Sequence, residues 1–309
     1  MERSGTTIST QWGANYSCHS GASGDSASAG VIFVDSGLAE QRVPHSMIAT
    51  WDGERWNPAT RVGWSAVGIA QASVPSVEWI AVGANGEAVS VSAGGARPET
   101  LGAGEVSPRD IGLMTRVKAI DGKLFAVGMC RQVYRRDGPD VWRRVDQGVR
   151  RSPGDTSVVG FKGIDGFSQH ELYGAGWRGE VWLLEDAAWR QIASPTNLIL
   201  TDVCCAPDGH VYICGRRGML LKGRRDQWSI VENTLTRQDF WGVAWHEGRV
   251  YVATMQALAV LDGDRLAWAA PEDDAPDTAY HLSTNGTLLW SFGPRGIFVF
   301  DGSDWTQFD

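Results

Sequence analysis

The sequence predicts an all-β chain, a seven-bladed β-propeller of four-stranded antiparallel blades. Three observations carry the prediction. Short apolar segments recur at a fixed interval, tight-turn dipeptides stand between them, and a tryptophan closes most of the units.

The interval is plainest in the C-terminal half. Leu172-Tyr173-Gly174-Ala175-Gly176, Val211-Tyr212-Ile213-Cys214-Gly215, Val250-Tyr251-Val252-Ala253-Thr254 and Leu288-Leu289-Trp290-Ser291-Phe292-Gly293 end 39 residues apart. Self-similarity at 20–50 residues is the mark of a repeat architecture. Trp79-Ile80-Ala81-Val82-Gly83 and Leu124-Phe125-Ala126-Val127-Gly128 fit the same template at longer intervals, which implies loop insertions. A divergent first unit around Val31-Ile32-Phe33-Val34 brings the count to seven.

Each apolar segment is preceded by another β-like stretch that ends in a turn: Asp121-Gly122, Asp165-Gly166, Asp208-Gly209, Glu247-Gly248 and Asn285-Gly286. Asp-Gly and Asn-Gly between apolar segments signal hairpins, because the two-residue turn needs positive φ. After each segment come a second apolar run and a closing tryptophan, Trp56, Trp142, Trp189, Trp228, Trp268 or Trp305; the unit around Val89-Ser90-Val91 lacks one. Four short strands per unit of this length is a propeller blade, and such tryptophans are expected to pack between blades. The whole chain, 1–309, reads as one propeller, with the divergent blade at about 1–60 and clear repeats from about 61 to 309.

On these residues the repeat resembles bacterial propeller repeats of the kelch and Asp-box (BNR) sort, over nearly all of the chain after about residue 30. It departs from each. One glycine, as at Gly128, Gly176 or Gly215, stands where kelch repeats carry a pair. Asp301-Gly302-Ser303-Asp304-Trp305 sets Asp and Gly side by side where the Asp-box spaces them, and the WD40 signatures are not in step with the blades. The resemblance implies the fold and transfers no active site.

A net charge of −8 argues against general nucleic-acid binding, which needs a basic surface. The charge is uneven. Residues 1–108 carry 5 basic and 10 acidic side chains, 109–225 carry 19 and 13, and 226–309 carry 4 and 13. In a ring of blades this becomes one basic sector between acidic ones, a distribution that can orient an approaching partner. The first residues lack the apolar stretch of a secretory signal, no apolar run reaches a membrane span, and five cysteines, with Cys204 beside Cys205, do not form a disulfide framework. A cytoplasmic monomer is the expectation.

If the strands run from the centre outwards, the second-to-third turns share a face with the inter-blade loops. Two residues after each segment end stand Asn85, Cys130, Arg178, Arg217, Gln256 and Arg295, a mostly polar ring with three arginines in equivalent places. Arginine's planar fork suits carboxylates or phosphates on a partner. Three long loops should join this face: Ser92 to Asp110, the basic segment with Arg150 and Arg151, and the acidic segment with Glu272, Asp273 and Asp274. The acidic loop lacks the ligand spacing of a calcium site.

Cys204, Cys205 and Cys214 read as buried small hydrophobes rather than a zinc site, since neighbours on a strand point to opposite faces. Cys18-His19 lacks the orienting group and oxyanion site of nucleophilic catalysis. No catalytic residue, metal site or cofactor is assigned. The first reading is a non-enzymatic protein-binding propeller, in one form an immunity protein that binds and neutralises a bacterial toxin. A glycan-binding propeller, using tryptophans such as Trp12, Trp64 or Trp177, is the second. A hydrolase or lyase at the central channel, drawing on inner-strand residues such as Lys118, Lys162, Asp202 or His246, is the third.

Overall fold

The computed structural model describes residues 15–92, 94–102, 106–152, 154–269 and 279–308. Its 28 strands form seven antiparallel sheets of four, each built from consecutive strands. Blade 1 covers 16–62, blade 2 66–100, blade 3 114–144, blade 4 161–192, blade 5 200–230, blade 6 242–268 and blade 7 281–307. The first strand of each blade lies against the first strands of its neighbours, and that of blade 1 meets that of blade 7. First strands therefore line the channel, and the ring closes without exchange of a strand.

The strand patterns explain the ring. Second strands such as Glu78–Gly83 (EWIAVG), Lys123–Gly128 (KLFAVG) and Val211–Gly215 (VYICG) are buried on both faces for nearly their whole length. An isolated sheet cannot cover both faces of such a strand. Flanking blades can, and the seven apolar clusters of the core lie one at each junction between adjacent blades. Fourth strands such as Ala188–Ile192 mix exposed with buried positions, as expected at a rim.

Trp56, Trp142, Trp189, Trp228 and Trp305 all belong to these junction clusters. Trp268 departs from the pattern: it is 43% exposed, and Leu266 on the same strand turns into the core instead. In blade 2 the register position of the closing tryptophan holds the exposed Ala96, and the buried residue of the fourth strand is Glu99, which accepts from Trp142 Nε1 at 3.0 Å and pairs with Arg136 at 2.7 Å.

Two further expectations are corrected. Ser92 to Asp110 is not simply a loop, because Gly95–Thr100 forms the fourth strand of blade 2 and Pro108–Ile111 a short helix. Asp165-Gly166 is not a turn. The first strand of blade 4 runs Phe161–Ser168, pairing Gly166 with Leu172 and Ser168 with Glu171. At Asp121-Gly122 the expected geometry is present, with φ of 52° and 75°.

Candidate functional site

With first strands innermost, second-to-third turns and inter-blade loops share one face. Arg178 (φ 60°, ψ 21°) and Arg217 (φ 59°, ψ 33°) sit in the left-handed region, each followed by a glycine at positive φ, Gly179 and Gly218. This is the tight mirror-image turn that matches strand twist. Both side chains are exposed, and the Arg217 N–H donates to Asp239 Oδ1 at 2.8 Å. Gln256 and Arg295 are exposed in the equivalent turns of blades 6 and 7.

Two members of the sequence-derived ring do not present themselves in this way. Asn85 donates from its backbone and side-chain nitrogens to the Glu87 carboxylate at 3.0 and 3.2 Å. Cys130 is buried, and its Sγ donates to the Ile111 carbonyl at 3.1 Å. Arg150 is exposed, while Arg151 donates to the Ser157 carbonyl at 2.8 Å. Glu272, Asp273, Asp274 and Trp12 lie outside the described residues.

Blades 3 to 5 hold most of the basic segment, and two open hollows indent their loop face. One, of about 440 Å³, is bordered by Arg144, Asp146, Arg150 and Arg151. The other, of about 560 Å³, is bordered by Arg131, Arg178, Glu180, Gln191 and Thr196. Arg131 is held by Glu180 at 2.6 Å, and its guanidinium lies 5.0 Å from the centre of the Trp182 ring. Glu180 also accepts from Gly160 N at 2.9 Å and Trp182 Nε1 at 3.2 Å, so the floor is rigid beneath the exposed Arg178.

The channel carries a second group of charges that sequence reasoning left unresolved. Arg116 Nη2 pairs with Asp202 Oδ1 at 2.9 Å, and its Nη1 lies 2.9 Å from His281 Nδ1. Lys118 Nζ pairs with Asp165 Oδ2 at 2.8 Å and donates to the Val203 carbonyl at 2.9 Å. Burial alone would lower the Lys118 pKa, but Asp165 and Asp202 outweigh it and raise it. A cavity of about 170 Å³ runs beside these pairs, along Ser20, Gly68, Arg116, Lys118, Asp202 and Ser283. Enclosure, then the charges of Arg116, His19 and Lys162, hold His281 well below the ordinary imidazole range.

His246 does not join the channel group. It is fully buried against Tyr251 and Phe300, between blades 6 and 7, and among the described residues neither ring nitrogen has a hydrogen-bond partner. Cys18 faces the blade 1–7 core while His19 is exposed, so they form no dyad. Burial pushes the Cys18 and Cys204 thiols up to about 12, which makes them poor nucleophiles and metal ligands. Among the described residues no group of three or more potential metal-ligating side chains comes together. Trp64 and Trp177 are partly buried.

No protein-family model matches the chain. The immune protein Tsi7 of Pseudomonas aeruginosa is 38% identical over 283 residues, 90% of this chain and 92% of Tsi7. This chain belongs to the Tsi7 family. Among solved structures, YCF48 bound to a D1 peptide (TM-score 0.64, 16% identity, 92% of this chain and 91% of that one) is similar in fold. So is the WD40 propeller domain of Doa1 (TM-score 0.63, 11% identity, 96% and 93%). At such identities the likeness is one of architecture. For the Tsi7-family chain described here, the fold is thus shared with propellers of unrelated sequence.

Proposed function

We propose that this chain is a cytoplasmic, non-enzymatic immunity propeller that binds a bacterial protein toxin on its loop-bearing face and neutralises it by occlusion. The observation that carries the reading is membership of the Tsi7 family across nine-tenths of the chain. The basic sector supports the choice of face, because Arg150 and Arg178 border open hollows and Arg217 is exposed on the equivalent tight turn of the next blade. Charged groups held on a stiff scaffold steer association and bind with little ordering cost. Five unpaired cysteines, four of them buried, support a reducing compartment. Among the described residues no helix is long and apolar enough to cross a membrane.

The test is capture from lysate of the native bacterium, with the parent chain and a folded Arg150→Ala, Arg178→Ala, Arg217→Ala variant as baits. The parent retains a stoichiometric protein, and the variant binds it at least about tenfold more weakly, about 1.4 kcal/mol. Capture of no protein by the parent overturns the binding reading. Equal capture by both baits moves the interface away from this face.

A further inference from the structure

We propose that the loop-side mouth of the central channel, around Lys162, is a receptor for a carboxylate group. Lys162 carries a charge left over after pairing among the described residues. Lys162 is the second residue of the first strand of blade 4, partly buried, with Nζ 5.7 Å from the centre of the Trp177 ring. Among the described residues no carboxylate pairs with it. Asp202 is already engaged by Arg116 at 2.9 Å and by Val243 N at 3.3 Å. Asp165 is taken by Lys118 at 2.8 Å, Cys205 N at 2.9 Å and Gly166 N at 2.9 Å.

The groups that face Lys162 from other blades are Arg116, Arg216 and His281. Among the described residues Arg216 has one long pairing, 3.8 Å, with Asp239. Burial first, then Arg116 and Arg216, lower the Lys162 pKa. Trp177 lies against Lys162, and Trp241 stacks on Tyr280 at 5.0 Å immediately before the first strands of blades 6 and 7. A cation with like charges for neighbours and no counter-ion among the described residues is stabilised by an incoming anion, more strongly where aromatic walls limit water.

The carboxylate has two sources, an acidic side chain of a docked protein or a free small dicarboxylate. The first rests on the protein-binding reading above; the second does not. The chain has four lysines, Lys118, Lys123, Lys162 and Lys222, so ¹³C-dimethylation of the full chain gives an NMR spectrum in which each is followed. Loss of one signal in Lys162→Gln assigns Lys162, and an unchanged thermal melt shows that this variant is folded.

Glutarate at millimolar concentration is expected to shift the Lys162 signal saturably and to raise its titration midpoint by about one pH unit, a tenfold change in proton affinity. If glutarate acts in this way while captured-protein affinity is unchanged in Lys162→Gln, the source is a free carboxylate. If that affinity falls by about tenfold or more, and the captured protein blocks the glutarate response, the source is a side chain. A Lys162 signal unmoved by glutarate, together with undiminished protein binding by Lys162→Gln, overturns the receptor and leaves the binding reading intact. A glutarate response with no protein captured does the reverse.

Discussion

Arg136 is 1% exposed between blades 2 and 3, with Glu78 and Glu99 each 2.7 Å from Nη2. Burial by itself would raise the Glu99 pKa, but hydrogen bonds from Arg136 and its charge prevail and hold that carboxyl below its usual range. Removing one member of a buried pair strands the other, a cost of about 3–5 kcal/mol. Arg136→Leu is therefore expected to lose that much in urea denaturation, and Glu99→Leu added to it should restore most of the loss. An Arg136→Leu variant as stable as the parent would refute the role.

His246 offers a second test at this scale, through pH. Burial lowers its pKa from a starting value near that of free imidazole, about 6.5. A depressed folded-state pKa means that the unfolded chain binds the proton more readily. The contribution to stability is then complete above about pH 6.5 and is lost as pH falls below it, at up to about 1.4 kcal/mol per pH unit for each such group. Replacement by Phe should flatten the decline in urea midpoint between about pH 7 and 5. A decline as steep as the parent's would show that His246 does not contribute to it. His19 and His281, also depressed, should leave a residual slope.

At the scale of the element, the first strands press together around the channel. A Cβ on Gly163 would stand 2.8 Å from Asp202 Cα and 3.0 Å from both Asp202 C and Val203 N. All three are backbone atoms, so no side chain can swing aside. Gly163→Ala should cost about 1–3 kcal/mol by overpacking and should disturb the neighbouring Lys118–Asp165 pair. Differential scanning calorimetry with the ¹³C-lysine spectrum checks both effects, and an unshifted melt with an unmoved Lys118 signal would show that the strands can separate at no cost. The same strand shows where local reading stopped. Asp165-Gly166 has the composition of a turn, yet it continues as strand, and Asp165 is delivered to Lys118 of the adjacent blade. A two-residue signal cannot report that a neighbouring blade supplies a cation.

For the whole molecule the decisive junction lies between blades 7 and 1, whose strands are not shared. Phe308 bridges it. Its ring is 5.0 Å from Trp51, 5.9 Å from Trp56 and 4.9 Å from Trp290, and its N–H donates to the Ile297 carbonyl at 2.7 Å. Trp305 stacks on Phe300 at 4.9 Å. Phe308→Ala should cost about 2–4 kcal/mol, since it opens a cavity in this aromatic cluster. Removal of residues 304–309 should cost more and lower the unfolding cooperativity of the ring. A truncated chain that melts like the parent would place closure elsewhere.

The sequence by itself determined the architecture, because a blade's requirements are local: apolar runs for strands covered on both faces, and turn residues that accept positive φ. The 39-residue interval, the count of seven and Arg178 and Arg217 before turn glycines were all legible from neighbours along the chain. Tertiary structure alone decided what meets across blades. It set Glu99 against Arg136, left Trp268 outside while Leu266 went in, turned Asn85 toward Glu87, and gathered Arg116, Lys118, Lys162, Asp165, Asp202 and His281 at the channel. Those side chains come from strands tens of residues apart, and their pairing depends on ring radius and strand stagger, which emerge only when all seven blades close.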